Sequence, residues 1–431
     1  MNKILLILPV FLAAAPIHAA PEFQRWQTKD GATVVLVERH GLPIVNIGIT
    51  FKGAGQAGES EKGAASFTAA MLDSGSSKYS EEQLRDEANR LGVSIGSSAG
   101  VENAAVSFAS LSRPQTLSDG LKLANQIIAH PVFDSAVLER EKKQAATALR
   151  QNLSNPAFAA ARELAKLNYG SHPYANNARL EETDILAVSA DTLKRHHRSL
   201  YAKNNAYIAI VGDLTRKQAD TAAAALLDGL PDTAAVRDIP PAPAAAGRSA
   251  NLPFSGKEQA AVAIGLPFAE RQSPDRHALA VGNYILGGGG FDSRLMKTLR
   301  DEKGLVYGVS SGYTPLARKG PFAVSFTTKK SSAAEALAAA RQVIADFVAT
   351  GPTEAELRQA KDNITGSFPM SHDTNAKTVA LAANIGVNNL PLNYYDRYTQ
   401  QIEAVTAAQV RAAWQRRLDP AKANAVTVGA Q

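Results

Sequence analysis

Residues 185–194 read ILAVSADTLK, and residues 402–411 read IEAVTAAQVR. The two stretches lie 217 positions apart. The same offset links IVG, ending at Gly212, with TVG, ending at Gly429. It also links the glycine of IGIT, Gly48, with that of IGLP, Gly265. Agreement of several segments at one offset marks an internal duplication. Each copy reads as strands, then helices, then a closing strand. That order predicts an α+β fold of two homologous halves, each an antiparallel sheet with helices packed on one face. Between the copies, residues 232–251 (DTAAVRDIPPAPAAAGRSAN) are rich in Pro and Ala and lack any periodicity, so they read as a linker. The expected division is an N-terminal half at 20–231, the linker at 232–251 and a C-terminal half at 252–431.

Residues 1–19 read as a signal peptide. Lys3 supplies a positive start, residues 4–12 an apolar run, and Ile17-His18-Ala19 a cleavage end. Pro21 disfavours a cut one residue later, so the cut is placed after Ala19. The apolar run is shorter than the ~18 residues a membrane span requires. The expected mature chain is therefore exported and soluble, in a periplasm or outside the cell. The chain contains no cysteine. Disulfides, thiolate zinc ligands, a cysteine nucleophile and a lipidated N-terminal cysteine are all excluded by that. The formal net charge is +6, of which Lys3 supplies one, and the basic residues are scattered. This pattern fits a solvated surface better than a nucleic-acid site.

Along the first half, residues 26–30, 33–38 and 44–52 read as strands broken by Asp30-Gly31 and Gly41-Leu42-Pro43. A helix begins at Gly63, and another, opened by Ser80 with Glu82 and Gln83 and capped at Ser80, runs to about Leu91. Residues 93–98 and 104–111 pair as a hairpin. Helices follow at 116–130, at 135–153, beyond Asn155-Pro156 to 167, and at 190–200. A strand at 206–211 and a helix at 217–227 close the half.

In the first of these helices, GAASFTAAMLDSG (63–75), Phe67, Met71 and Leu72 make an inward stripe. Ser66, Ala69 and Ala70 share another face, one turn apart. Such a face cannot bind a metal or transfer a proton.

Other candidate chemistry is sparse. His40, His130, His172, His196, His197, His277 and His372 lack the i, i+4 pairing with His or Glu that builds a zinc site on a helix, so they read as surface or capping residues. Gly96-Ser97-Ser98-Ala99-Gly100 matches the G-x-S-x-G pattern, but the residues after it alternate like a strand, and a hairpin turn is the better reading. The run Gly287, Gly288, Gly289, Gly290 is followed by FDSRLMK rather than by Gly-Lys-Ser/Thr, so it is no phosphate loop. It reads as a turn where backbone passes close to another backbone or to an extended peptide. After it, residues 291–300 read as a helix with Leu295, Met296 and Leu299 inward, and residues 305–313 as a strand. Arg300 at the helix end and Tyr307 on the strand could converge on a peptide carbonyl as charged and neutral donors, or serve structure alone.

Three stretches carry a family resemblance over about residues 23–429: KGAASFTAAMLDSGS, YGSHPYANNARLEETDILAVSADTLKRHHRSLYAKNNAYIAIVGDL and LGGGGFDSRLMKTLRDEKGLVYGVSSGY. They resemble the pitrilysin (insulinase-type) zinc peptidases, specifically bacterial members similar to mitochondrial processing peptidase subunits. In that family the helix matching 63–72 carries H-x-x-E-H, whose two His bind zinc and whose Glu activates water. A Glu on a later helix completes the set. The resemblance places Ser66, Ala69, Ala70 and Ala148 at those four positions, so all four are vacated. Glu139 and Glu141 lie too far along their helix to replace the missing Glu. Arg300 and Tyr307 match the pair that relatives use to hold substrate. Some relatives divide the work, one subunit supplying zinc and its partner the Arg–Tyr pair. The resemblance therefore implies no catalytic residue and no cofactor in this chain. It implies a zinc-bearing family member as heterodimer partner, and substrate binding by Arg300, Tyr307 and the Gly287–Gly290 edge through strand addition. The rival expectation is a stand-alone peptide-binding or scaffold protein of the same fold.

Overall fold

The two copies of the repeat cap the same kind of helix. Ser189 Oγ accepts the amide of Thr192 at 3.1 Å, opening the helix Ala190–Leu200. Thr406 Oγ1 accepts the amide of Gln409 at 3.2 Å, opening Ala407–Arg417. Each cap is preceded by a buried valine, Val188 or Val405, which joins the same core as the apolar residue one turn into the helix, Leu193 or Val410. The repeated sequence is thus an N-cap with a hydrophobic residue on each side of it.

The structure, a computed structural model, describes residues 21–254 and 258–430. The expected signal peptide lies outside the described residues. The first half holds β1 (Gln24–Gln27), β2 (Thr33–Glu38), β3 (Ile44–Lys52), β4 (Ser94–Ala99), β5 (Asn103–Leu111) and β6 (Ala206–Gly212). The second holds β7 (Ser249–Leu252), β8 (Gln259–Ala269), β9 (Val306–Tyr313), β10 (Gly320–Lys329) and β11 (Asn424–Val428). The sheet orders are β1-β2-β6-β3-β5-β4 and β7-β11-β8-β10-β9. Apart from the extra edge strand β1, the orders are the same. The 217-residue offset carries β3 onto β8, β5 onto β10 and β6 onto β11, so the duplication extends through the whole fold.

Both sheets are antiparallel except at one matching pair, β2/β6 and β7/β11, which run parallel. Nearly the entire half separates the two strands of that pair. A long crossover permits parallel pairing, whereas a hairpin does not. The strand β7 begins at Ser249, inside the stretch read as linker. The preceding residues run without regular structure but are held: the Ala235 amide donates to Ser199 O at 2.8 Å, and Arg318 Nε to Ile239 O at 2.8 Å.

Each half packs its own helices on one face of its sheet, around cores that include Ile47, Phe108 and Leu193 in the first and Phe268, Phe347 and Trp414 in the second. The opposite face receives a helix from the other half. The helix Pro156–Tyr169 of the first half lays Ala160 and Leu164 on Ala261, Ala263, Val426 and Val428 of the second sheet. The helix Asn375–Val387 of the second half lays Ala382 and Ile385 on Val35, Val37, Ala209 and Val211 of the first. A Cβ on Gly48 would lie 2.7 Å from Val379 Cγ1, so the crossing helix needs glycine on β3 beneath it. Strands covered on both faces need apolar residues throughout, which explains the nearly continuous burial of β6 and β11.

Candidate functional site

The helix predicted at Gly63 spans Ala64–Ala70, with Phe67, Met71 and Leu72 buried as the apolar spacing requires. Its start is held by Glu59, whose Oε2 accepts the Ala65 amide at 3.0 Å. Glu59 is nearly buried, and that burial pushes its carboxyl up to about 7, against the pull of its amide partners.

On the blank face, the Ser66 hydroxyl accepts from Gln56 Nε2 at 3.3 Å. Ala69 is buried, and its carbonyl accepts from the Ser97 hydroxyl of β4 at 2.6 Å. Ala70 is exposed, as is Ala148 on the helix Ser135–Leu153. Three of these four side chains are methyl groups, and the fourth is a hydroxyl already engaged. They do not fit a zinc ion, which needs imidazole or carboxylate donors. Among the described residues, no cluster of three or more His, Asp or Glu side chains could hold a metal ion.

The histidines are corrected in part. His196 and His197 are buried core residues rather than surface groups, with their Nε2 atoms on the carbonyls of Ala54 (3.1 Å) and Ile128 (2.8 Å). His197 also stacks on Tyr201, with 4.8 Å between ring centroids. Burial lowers its pKa to about 4. His172 does cap, accepting the Tyr174 amide at 3.1 Å. The serine of the G-x-S-x-G pattern, Ser98, lies on β4 of a β4–β5 hairpin, as the strand alternation predicts.

In the second half, the segment between 284 and 302 is tighter and looser by turns than a single helix. A π-helical turn, Tyr284–Gly288, leads through short turns at Gly290–Asp292 and Arg294–Met296 into another π-helical stretch, Lys297–Glu302. Such turns recur at functional sites. Leu295, Met296 and Leu299 face inward as read from the sequence. Gly287 is buried, and a Cβ there would lie 2.7 Å from the backbone nitrogen of Ser311 on β9. Its close approach is to another backbone, that of its own half. Gly288 and Gly290 are exposed and Gly289 is half-buried. The offset makes Gly287 the counterpart of Ala70, so the glycine run ends the second half's copy of the blank helix.

Arg300 and Tyr307 come together. The Arg300 guanidinium carbon lies 5.2 Å from the centre of the Tyr307 ring and 4.6 Å from that of Phe291. Tyr307 is 87% exposed and Phe291 66%. Phe291 was missed as a site residue, although an aromatic directly after four glycines was the available signal. The strand carrying Tyr307, β9, ends its sheet and, among the described residues, is paired only to β10.

Comparisons with known proteins identify the family. Residues 33–179 match the family described as insulinase (peptidase family M16), and residues 187–364 match the peptidase M16 inactive domain. The chain is 25% identical over 381 residues to the Non-peptidase homolog YmxG of Helicobacter pylori, covering 88% of this chain and 87% of that one. It superposes with a TM-score of 0.90 on a peptidase M16 inactive domain from Pseudomonas fluorescens, at 33% identity and covering 94% and 98% of the two chains. The periplasmic protease PqqL of Escherichia coli shares the fold at a TM-score of 0.79 and 18% identity, but 99% of this chain matches only 48% of that one. On its sequence and its duplicated fold, the chain belongs to the insulinase-type peptidase family M16, as a member without the H-x-x-E-H motif.

Proposed function

We propose that this chain is the substrate-holding subunit of an exported two-subunit zinc peptidase. A zinc-bearing member of the same family carries the hydrolysis. This chain closes the enclosure and presents Arg300 and Tyr307, with the neighbouring β9 edge and Gly288–Gly290, to an extended peptide. The observation that carries the reading is the contrast between the two halves. The face at Ser66, Ala69 and Ala70 offers no imidazole or carboxylate to a metal, while the half-buried Arg300 stands beside the exposed ring of Tyr307. The match of this whole fold to about half of a longer protease chain supports the reading, because a second such unit then completes the enclosure.

The test is to purify the mature chain alone and with a zinc-bearing family member from the same cell. The chain alone should bind no stoichiometric zinc and cleave no peptide. The pair should cleave, and Arg300→Ala with Tyr307→Phe should lower that activity at least tenfold, as loss of a preorganised donor does (~10²-fold for one oxyanion donor). Unchanged activity of the double variant, or cleavage by the chain alone with bound zinc, would overturn the proposal. A chain that pairs with no such member in a native pull-down would favour the stand-alone peptide-binding or scaffold reading.

A further inference from the structure

The duplication sets two equivalent corners of the molecule side by side. In the first half one corner is closed by a small polar network. Glu61 Oε1 accepts from Arg195 at 2.7 Å, and Glu61 Oε2 accepts from the Thr192 hydroxyl at 2.9 Å. The 217-residue offset carries Glu61, Thr192 and Arg195 onto Ala278, Gln409 and Ala412. Both members of the ion pair are therefore reduced to methyl groups in the second half. There, Ala278, Gln409 and Ala412 all line an open cavity of about 540 Å³ between the helices Arg276–Asn283, Tyr398–Glu403 and Ala407–Arg417. That volume is in the range of small-ligand sites and far exceeds the ~30 Å³ of one water.

The same cavity is lined by Arg276, His277 and Gln401, all half-buried. Each holds a buried polar atom without a hydrogen-bond partner among the described residues: Arg276 Nε, His277 Nε2 and Gln401 Oε1. Buried polar groups are nearly always paired, so three orphans on one cavity call for a partner. The adjacent carboxylate does not supply it. Asp275 is already held by Arg416 at 2.6 Å and by Arg417 at 3.5 Å. His277 packs edge to face with Tyr398, at 5.7 Å between ring centroids. Burial, with the neighbouring Arg276 charge, lowers its pKa to about 4, so the ring is neutral at neutral pH. Gln401 neighbours the ring and counters that lowering, yet its Oε1 completes no hydrogen bond there.

The orphan atoms define the chemistry of a ligand. Arg276 Nε only donates, Gln401 Oε1 only accepts, and the neutral His277 Nε2 does either according to its tautomer. A carboxylate offers acceptors alone and would leave Gln401 Oε1 unpaired. An amide presents a carbonyl oxygen and an N–H together and answers both. We propose that this cavity is a ligand site that binds an amide group, its carbonyl oxygen accepting from Arg276 and its N–H donating to Gln401. The proposal does not depend on the peptide-holding reading of Arg300 and Tyr307. The amide has two sources, a main-chain peptide group or a carboxamide side chain.

The test titrates four probes into the mature chain by ligand-observed NMR. N-acetylalanine N-methylamide carries main-chain amides, and propionamide carries the group of a carboxamide side chain. Methyl propionate keeps the carbonyl but lacks the N–H, and propionate is a charged acceptor. At least one amide should bind with a Kd of about 1 mM or tighter, about tenfold more tightly than the ester or propionate, and the stronger amide names the source. Gln401→Met keeps the length of the side chain and removes the acceptor, so it should erase the preference of amide over ester. Ala278→Glu with Ala412→Arg rebuilds the first half's ion pair in the cavity and should abolish binding of every probe. Gln401→Met keeps the test standing if that double variant does not fold. Binding of the ester or propionate as tightly as the amides would overturn the amide assignment. Absence of binding by either amide, or binding unchanged in the variants, would overturn the site.

Discussion

Glu102, buried in the turn between β4 and β5 of the first half, forms an ion pair with the half-buried Arg271 of the second. The same carboxylate accepts from the Tyr174 hydroxyl at 2.5 Å and from the Ala317 amide at 2.7 Å. The Tyr174 hydroxyl in turn accepts from the Arg318 amide at 2.9 Å. Two hairpin turns from opposite halves, at 100–102 and 314–319, are therefore joined through one carboxylate with every donor supplied. A buried charge is tolerated only when satisfied in this way.

Removing that carboxylate should uncouple the halves. Glu102→Ala leaves Arg271 without its partner and the Ala317 amide without its acceptor. We expect a loss of about 2 kcal/mol in urea-induced unfolding, in the range for leaving buried donors without their acceptor. An unchanged midpoint would show that the contact contributes nothing to the assembly of the halves.

The exchanged helices predict a mutational effect in the wrong half. Ile385 belongs to the second half in sequence but is buried against Val35, Val37, Ala209 and Val211 of the first sheet. Ile385→Ala should cost about 3 kcal/mol as a buried large-to-small change. Amide hydrogen exchange should speed up in β2 and β6 before it does in β8 and β10. The reverse order would argue against the exchange.

Buried titratable groups give opposite pH dependences. The folded-state pKa of Glu59 is raised from 4.5 to about 7, so its contribution is fully present below about pH 4.5 and is lost as pH rises to about 7. His197 and His277 are lowered from 6.5 to about 4, chiefly by burial, so each favours the fold above about pH 6.5 and costs stability as pH falls toward 4. Glu59→Gln should remove the first slope, so that the variant gains relative to wild type as pH rises from 4.5 to 7, by an amount on the order of 3 kcal/mol. Parallel pH–stability curves for the two proteins would disprove the assignment.

The positions that the resemblance reads as vacated can be tested by filling them. Ser66→His, Ala69→Glu, Ala70→His and Ala148→Glu together should create a zinc site of micromolar or tighter affinity, read by metal titration of the purified variant. Failure of the folded quadruple variant to bind zinc would place the ligand-equivalent residues elsewhere, since all four positions rest on the resemblance.

Local chemistry made much of this protein legible from its residues. Ser189 and Thr406 announce helix starts because a hydroxyl that accepts an amide three residues on needs no tertiary partner. Alternation in 44–52 and 103–111 set those strands and their outward faces. The 217-residue offset carried the duplication, and the methyl and hydroxyl side chains at Ser66, Ala69 and Ala70 offer a metal neither imidazole nor carboxylate. What only the tertiary structure decided lies between segments far apart in the chain. Nothing in residues 375–387 says that the helix crosses to the other half, because an apolar stripe does not name the surface it will cover. Glu102 reads as an ordinary turn carboxylate until Arg271 arrives from the other half. His196 and His197 read as surface residues until their carbonyl partners are brought to them. Phe291, Arg300 and Tyr307 are separate letters in the sequence, and the turns between 284 and 302 fold them into one cluster. In the helix Ala64–Ala70 the side chains were legible in the sequence, and the fold added what surrounds them: Glu59 at its start and Ser97 against its face.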